Sequence, residues 1–161
     1  MNFYLCRVIS IHFFEKRVKS ILKKKKFEKD WLLFSLKKAG VKSAEINFVF
    51  CSDSFLLGVN KKHLDHDYYT DIITFEYSFG GSIIGDVYIS VDRVKENAKT
   101  YNVPVEEEAG RVMAHGILHL LGYRDKSPRQ KREMKEMEDK WLATRKRLKN
   151  KATGIKNPKK P

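Results

Sequence analysis

The stretch PVEEEAGRVMAHGILHLLG, residues 104–122, constrains the fold more than any other part of the chain. Pro104 suits the opening of a helix, because its ring presets φ and its missing N–H would lack an intrahelical partner there anyway. Gly122 sits where a residue of left-handed conformation ends one. The periodicity between them predicts a helix over residues 106–121. Ile117, Leu118, Leu120 and Leu121 give that helix buried faces, so other elements must cover it. His115 and His119 interrupt the apolar surface one turn apart on the same side, where both imidazoles can reach one ion.

The elements that cover this helix are legible in outline. Residues 8–14, 45–51 (EINFVFC), 71–77 (DIITFEY) and 82–91 (SIIGDVYISV) are β-branched and aromatic and predict strands. Gly80-Gly81 between the last two fits a tight hairpin. Helices are predicted over residues 27–39, closed by Gly40; over 55–63, capped by Ser52 or Asp53; and over 93–101. A last helix runs from Ser127-Pro128 to about Leu148, with Met134, Met137, Trp141 and Leu142 as a narrow apolar stripe. Strands in the first half and helices in the second argue for an α+β fold, a small mixed sheet of about four strands packed with helices. Residues 1–148 read as a single domain and 149–161 as a basic, disordered tail.

Charge is unevenly spread. Residues 1–40 carry 11 Lys/Arg against 3 Asp/Glu, residues 126–161 carry 14 against 4, and the middle carries 8 against 13. Two basic ends around an acidic centre point to a polyanionic partner such as a phosphate backbone. Cys6 and Cys51 have no spacing of a disulfide framework or metal clip, and no apolar run has the length of a membrane span, so the chain is expected to be cytoplasmic.

An i,i+4 histidine pair alone also occurs without metal. Here a glycine ends the helix and Asp125 follows three residues later, able to swing back toward the pair. A carboxylate is a legitimate zinc ligand, and a His-His-Asp set leaves a fourth coordination position open, as catalytic sites do. The spacing H-x-x-x-H-x-x-G-x-x-D resembles that of metzincin proteases, whose general base is a glutamate directly after the first histidine. Gly116 occupies that position, which disfavours peptide hydrolysis by that route.

The run H-G-I-L-H-L-L-G-Y is similar to the signature of the YbeY family of metal-dependent endoribonucleases, or ribosomal RNA maturation factors. T-D-I-I-T-F at residues 70–75 resembles that family's T-D-V-L-S-F, and G-D-V-Y-I-S at 85–90 resembles its G-D-I-x-I-S. The resemblance implies a zinc site at a helix end, one Zn2+ per chain, and cutting of single-stranded RNA. It also implies a part in maturing the 3′ end of small-subunit ribosomal RNA and in ribosome quality control, with RNA or the ribosome as partner and neither DNA nor membrane. Carried over, His115 and His119 are metal ligands, and Asp125 stands where the family has a third histidine. The family's arginine before T-D is replaced by Leu64, and no catalytic base is evident. Asp71, Asp86 and His66 are candidates to orient a ligand or position substrate, and Tyr68, Tyr69 and Tyr123 to stack bases. The alternatives are a metzincin-like zinc peptidase and a non-catalytic RNA-binding assembly factor.

Overall fold

Four strands form one sheet in the order β1-β2-β4-β3: β1 (Ile9–Lys16), β2 (Ala44–Cys51), β3 (Ile72–Glu76) and β4 (Ile83–Ser90). They belong to a computed structural model that describes residues 8–64 and 67–154. β1, β2 and β4 run parallel, and β3 pairs with β4 antiparallel. The β3–β4 connection is the glycine turn, with φ of 59° and 80° at Gly80 and Gly81. Both signs match a type I′ hairpin, whose twist suits the strands it joins. The two parallel neighbours β1 and β2 require a crossover, which α1 (Lys25–Lys38) supplies. The fold is thus α+β with a mixed sheet, and one β-α-β unit lies inside its first half.

Alternation along the strands divides the sheet into two faces. Ile11, Ile46, Phe48, Phe50, Val87 and Ile89 point to one face and join Trp31, Leu32 and Leu36 of α1 in the main core. The central helix α4 (Val105–Leu120) packs on this face through Ala109, Val112, Met113, Ile117 and Leu118. A Cβ built on Gly116 would lie 2.7 Å from Val87 Cγ1 and 2.8 Å from Ile72 Cδ1, so α4 sits against the sheet at a distance only glycine permits. The opposite face carries a smaller cluster, Cys51, Leu56 and Ile73, covered by α2 (Asp53–Leu64). α3 (Val91–Thr100) and α5 (Pro128–Ala152) flank α4.

Helix α5 begins at a capping box between Ser127 and Gln130 with Pro128 in its first turn. It runs on to Ala152, so residues 149–152 are helical rather than part of a disordered tail. Lys149 and Lys151 lie in its last turn, where cations favour the carbonyl end of the macrodipole. Residues 155–161 lie outside the described residues. Its buried positions are Met134, Glu138, Trp141 and Arg145, whereas Met137 and Leu142 are only half-buried. Two charged side chains thus occupy the buried stripe, and each has a partner. Arg145 donates to both oxygens of Glu28, at 2.9 and 2.5 Å, under cover of Phe27 and Trp31.

Cys51 is fully buried, and burial, with Asp92 and Asp53 adding to it, pushes its thiol up to about 12. The thiolate is the nucleophile, so the folded protein is expected to leave Cys51 unmodified by iodoacetamide at neutral pH and to expose it on unfolding. Mass spectrometry of digests from native and denatured samples checks this; labelling of Cys51 at equal rates in both would contradict the packing.

Candidate metal centre

The end of α4 is a Schellman turn. Gly122, at φ +96°, donates to the His119 carbonyl at 3.0 Å, and Tyr123 N–H donates to the Leu118 carbonyl at 3.0 Å. That turn reverses the chain over the helix end. It sets the Tyr123 carbonyl 3.0 Å from His119 Nδ1 and brings the Asp125 carboxylate in front of both histidines. Meanwhile His115 Nδ1 lies 2.6 Å from Glu138 Oε1, presented by α5.

These contacts fix the tautomers. A carbonyl and a carboxylate only accept, so each Nδ1 carries a hydrogen, and in the neutral imidazole Nε2 then offers a lone pair. The two Nε2 atoms face each other at 2.9 Å, and Asp125 Oδ2 lies 3.6 Å from each. With both imidazoles neutral, three lone-pair groups converge there. The arrangement suits a cation: ligands of tetrahedral zinc, at about 2.0–2.1 Å from the ion, stand about 3.3 Å apart. His115, His119 and Asp125 are together able to hold a metal ion. Burial, and next the neighbouring His115, hold the His119 imidazole below its ordinary pKa, which favours the neutral form a metal requires.

Behind the ligands stands Arg111, one turn before His115. It bonds Glu108 at 2.9 and 2.6 Å and lies 3.6 Å from Asp71 and 3.7 Å from Glu138. Hydrogen bonding to Glu108, above all, raises its pKa. One guanidinium against three carboxylates leaves the cluster negative, which adds to the pull of Asp125 on a cation. Asp71 therefore reaches the site through Arg111 rather than by touching a histidine.

Asp86 is not brought to the metal centre. It projects from the sheet face opposite α4, where Asn47 Nδ2 donates to it at 2.9 Å, because strand alternation gives Val87 rather than Asp86 to α4. His66 lies outside the described residues. Leu64 ends α2 on the surface, Tyr69 lies under the Arg93 guanidinium at 5.0 Å, and half-buried Tyr123 packs against the core. Gly116 faces Val87 and Ile72, so a glutamate there would enter the sheet and not the cation site.

Glu138 and Arg111 escaped the sequence reading. The signal for Glu138 was its place four residues after Met134 and three before Trp141, on the same side of the helix as both. Outer partners of ligand histidines commonly account for about 10–100-fold in metal affinity. Glu138→Gln, whose amide also offers His115 a donor, is expected to weaken zinc binding within that range in a competition titration; unchanged affinity would leave Glu138 a mere packing residue.

A small α+β protein whose two histidines and aspartate at a helix end could hold a cation is the class these features define. A model of the family described as Endoribonuclease YbeY matches residues 10–146, and the chain belongs to that family. It is 46% identical over 138 residues to the endoribonuclease YbeY of Cytophaga hutchinsonii, covering 85% of this chain and 96% of that protein. Identity to the Bacteroides fragilis endoribonuclease YbeY is 51% over 102 residues, 63% of this chain and 73% of that one. The solution structure of a Thermotoga maritima protein aligns with a TM-score of 0.61 at 26% identity, covering 94% of this chain and all of that one. Among the described residues no helix is long and apolar enough to cross a membrane.

Proposed function

We propose that the chain is a metal-dependent endoribonuclease cutting single-stranded RNA, with one zinc or similar divalent ion on His115, His119 and Asp125. The observation that carries this reading is the pair of Nε2 atoms facing each other beside the Asp125 carboxylate, in a chain of the YbeY family. The ion would supply Lewis acidity toward a phosphodiester. The protein's own part is preorganisation. Glu138 and the Tyr123 carbonyl hold both imidazoles in the ligating tautomer, and Arg111 keeps Glu138 in place. Asp125 is half-exposed, so the centre opens to substrate. The two basic ends of the chain favour a phosphate backbone over other polymers.

The family likeness supports the finer reading: action on the 3′ end of small-subunit ribosomal RNA and in ribosome quality control, in the cytoplasm, with no role on DNA. A peptidase reading is opposed by the place of Gly116 against the sheet. The test uses zinc-loaded and chelated protein on single-stranded RNA and on duplex RNA. Cleavage of the single strand by the loaded protein alone is the expected result. RNA binding with no cleavage in either state would favour a non-catalytic assembly factor instead.

A further inference from the structure

A groove of about 770 Å³ opens beside the metal centre, with His115 and Asp125 at one end. One wall is α4 and the other is α5, and the groove follows α5 as far as Lys149. On that wall Lys131, Lys135, Lys146 and Lys149 line it, with Leu142 between the two pairs. Their spacing, near multiples of three and four residues, keeps all five on one side of the helix. From Lys131 to Lys149 the row extends about 27 Å at about 1.5 Å per residue. Lys135 has only a loose, exposed contact with Asp139 at 3.7 Å, a kind of pair that holds little. The acidic residues of the opposite wall are largely engaged: Glu108 with Arg111, and Glu107 beside the buried Arg145. Exposed Tyr101 lines the groove too, as an aromatic face.

We infer that this row of α5 lysines is the track along which single-stranded RNA leaves the metal centre, its phosphates on Lys131, Lys135, Lys146 and Lys149. The inference rests on the RNA reading above and adds which side of the centre carries the strand. Charge complementarity and continuity with the cation site argue for it together. The acidic cluster around Arg111 repels phosphate until a cation is bound, whereas the lysines attract it throughout, so the track tethers the strand and the ion admits it. Leu142 and Tyr101 offer the apolar and aromatic surfaces that unpaired bases use.

The test is anisotropy of zinc-loaded protein with 2′-O-methyl oligouridines of about 16 and about 4 nucleotides, over a salt series. The double variant K146E/K149E is compared with K37E/K42E, an equal charge change on surface residues that do not line the groove. K146E/K149E is expected to weaken the long oligomer about tenfold or more and to lower its salt slope by about 1.4, the value for two single-strand phosphate contacts. The short oligomer should bind it as it binds the unaltered protein, and on cleavable RNA KM should rise with kcat unchanged. Equal effects from the two double variants, or an unchanged salt slope, would overturn the track while leaving the nuclease reading intact. Loss of cleavage in the unaltered protein, with the slope change still present, would sink the nuclease reading and keep the track. Binding of labelled polyglutamate with no binding of either oligouridine would overturn both.

Discussion

Replacement of His119 by alanine is expected to abolish metal binding and RNA cleavage together. The proposed centre has three protein donors, and His119 supplies one of two imidazole nitrogens that face each other at 2.9 Å. Losing a partner that only orients a ligand commonly weakens metal binding about 10–100-fold. Loss of the ligand itself should exceed that range, and cleavage should fall by at least about 100-fold with it. Folding should survive, because the imidazole is only half-buried and the face of α4 that packs on the sheet is carried by Ile117, Leu118 and their neighbours. Elemental analysis, circular dichroism and a cleavage assay on one preparation check all three statements. A folded, metal-free variant that cut RNA at the normal rate would remove the metal from the chemistry.

A second large effect concerns stability and lies away from the metal. Glu28 and Arg145 join α1 to α5 across the core, with side chains 2% and 6% exposed. Glu28→Ala leaves a guanidinium buried without its carboxylate, and such a break costs about 3–5 kcal/mol. For a domain of this size the melting temperature should drop on the order of 10–20 °C. The paired change Glu28→Leu with Arg145→Met should recover most of that loss, since well-packed apolar replacements of buried ion pairs are often neutral or better. Denaturant melts of the three proteins decide it. A single variant within about 1 kcal/mol of the unaltered protein would mean that Arg145 finds other partners or reaches water.

The two predictions also mark what was legible in the amino-acid sequence. His115, His119, Gly122 and Asp125 are close in sequence, and a helix followed by a glycine turn brings them together by local rules alone. The strands showed in their β-branched runs, and Gly80-Gly81 in its turn chemistry. What stayed hidden depends on long-range pairing. Glu138 meets His115 only because α5 docks on α4, and Glu28 meets Arg145 across 117 residues of chain. The side taken by Asp86 was hidden for a related reason: strand alternation gives Val87 to α4 and turns Asp86 to the opposite face of the sheet. In the α5 stripe Met134 and Trp141 are buried as expected, whereas Glu138 and Arg145 lie deeper than Met137 and Leu142, although composition assigns charge to the surface.

The central claim is a ligand set, and X-ray absorption of the zinc-loaded protein tests it most directly. Expected is one ion per chain with two nitrogen ligands at about 2.0–2.1 Å and a carboxylate oxygen at about 2.0–2.2 Å, the oxygen being lost in Asp125→Ala and the ion itself in His119→Ala. An ion whose spectrum ignored both substitutions would be bound elsewhere, and the arrangement of His115, His119 and Asp125 would then be no metal centre.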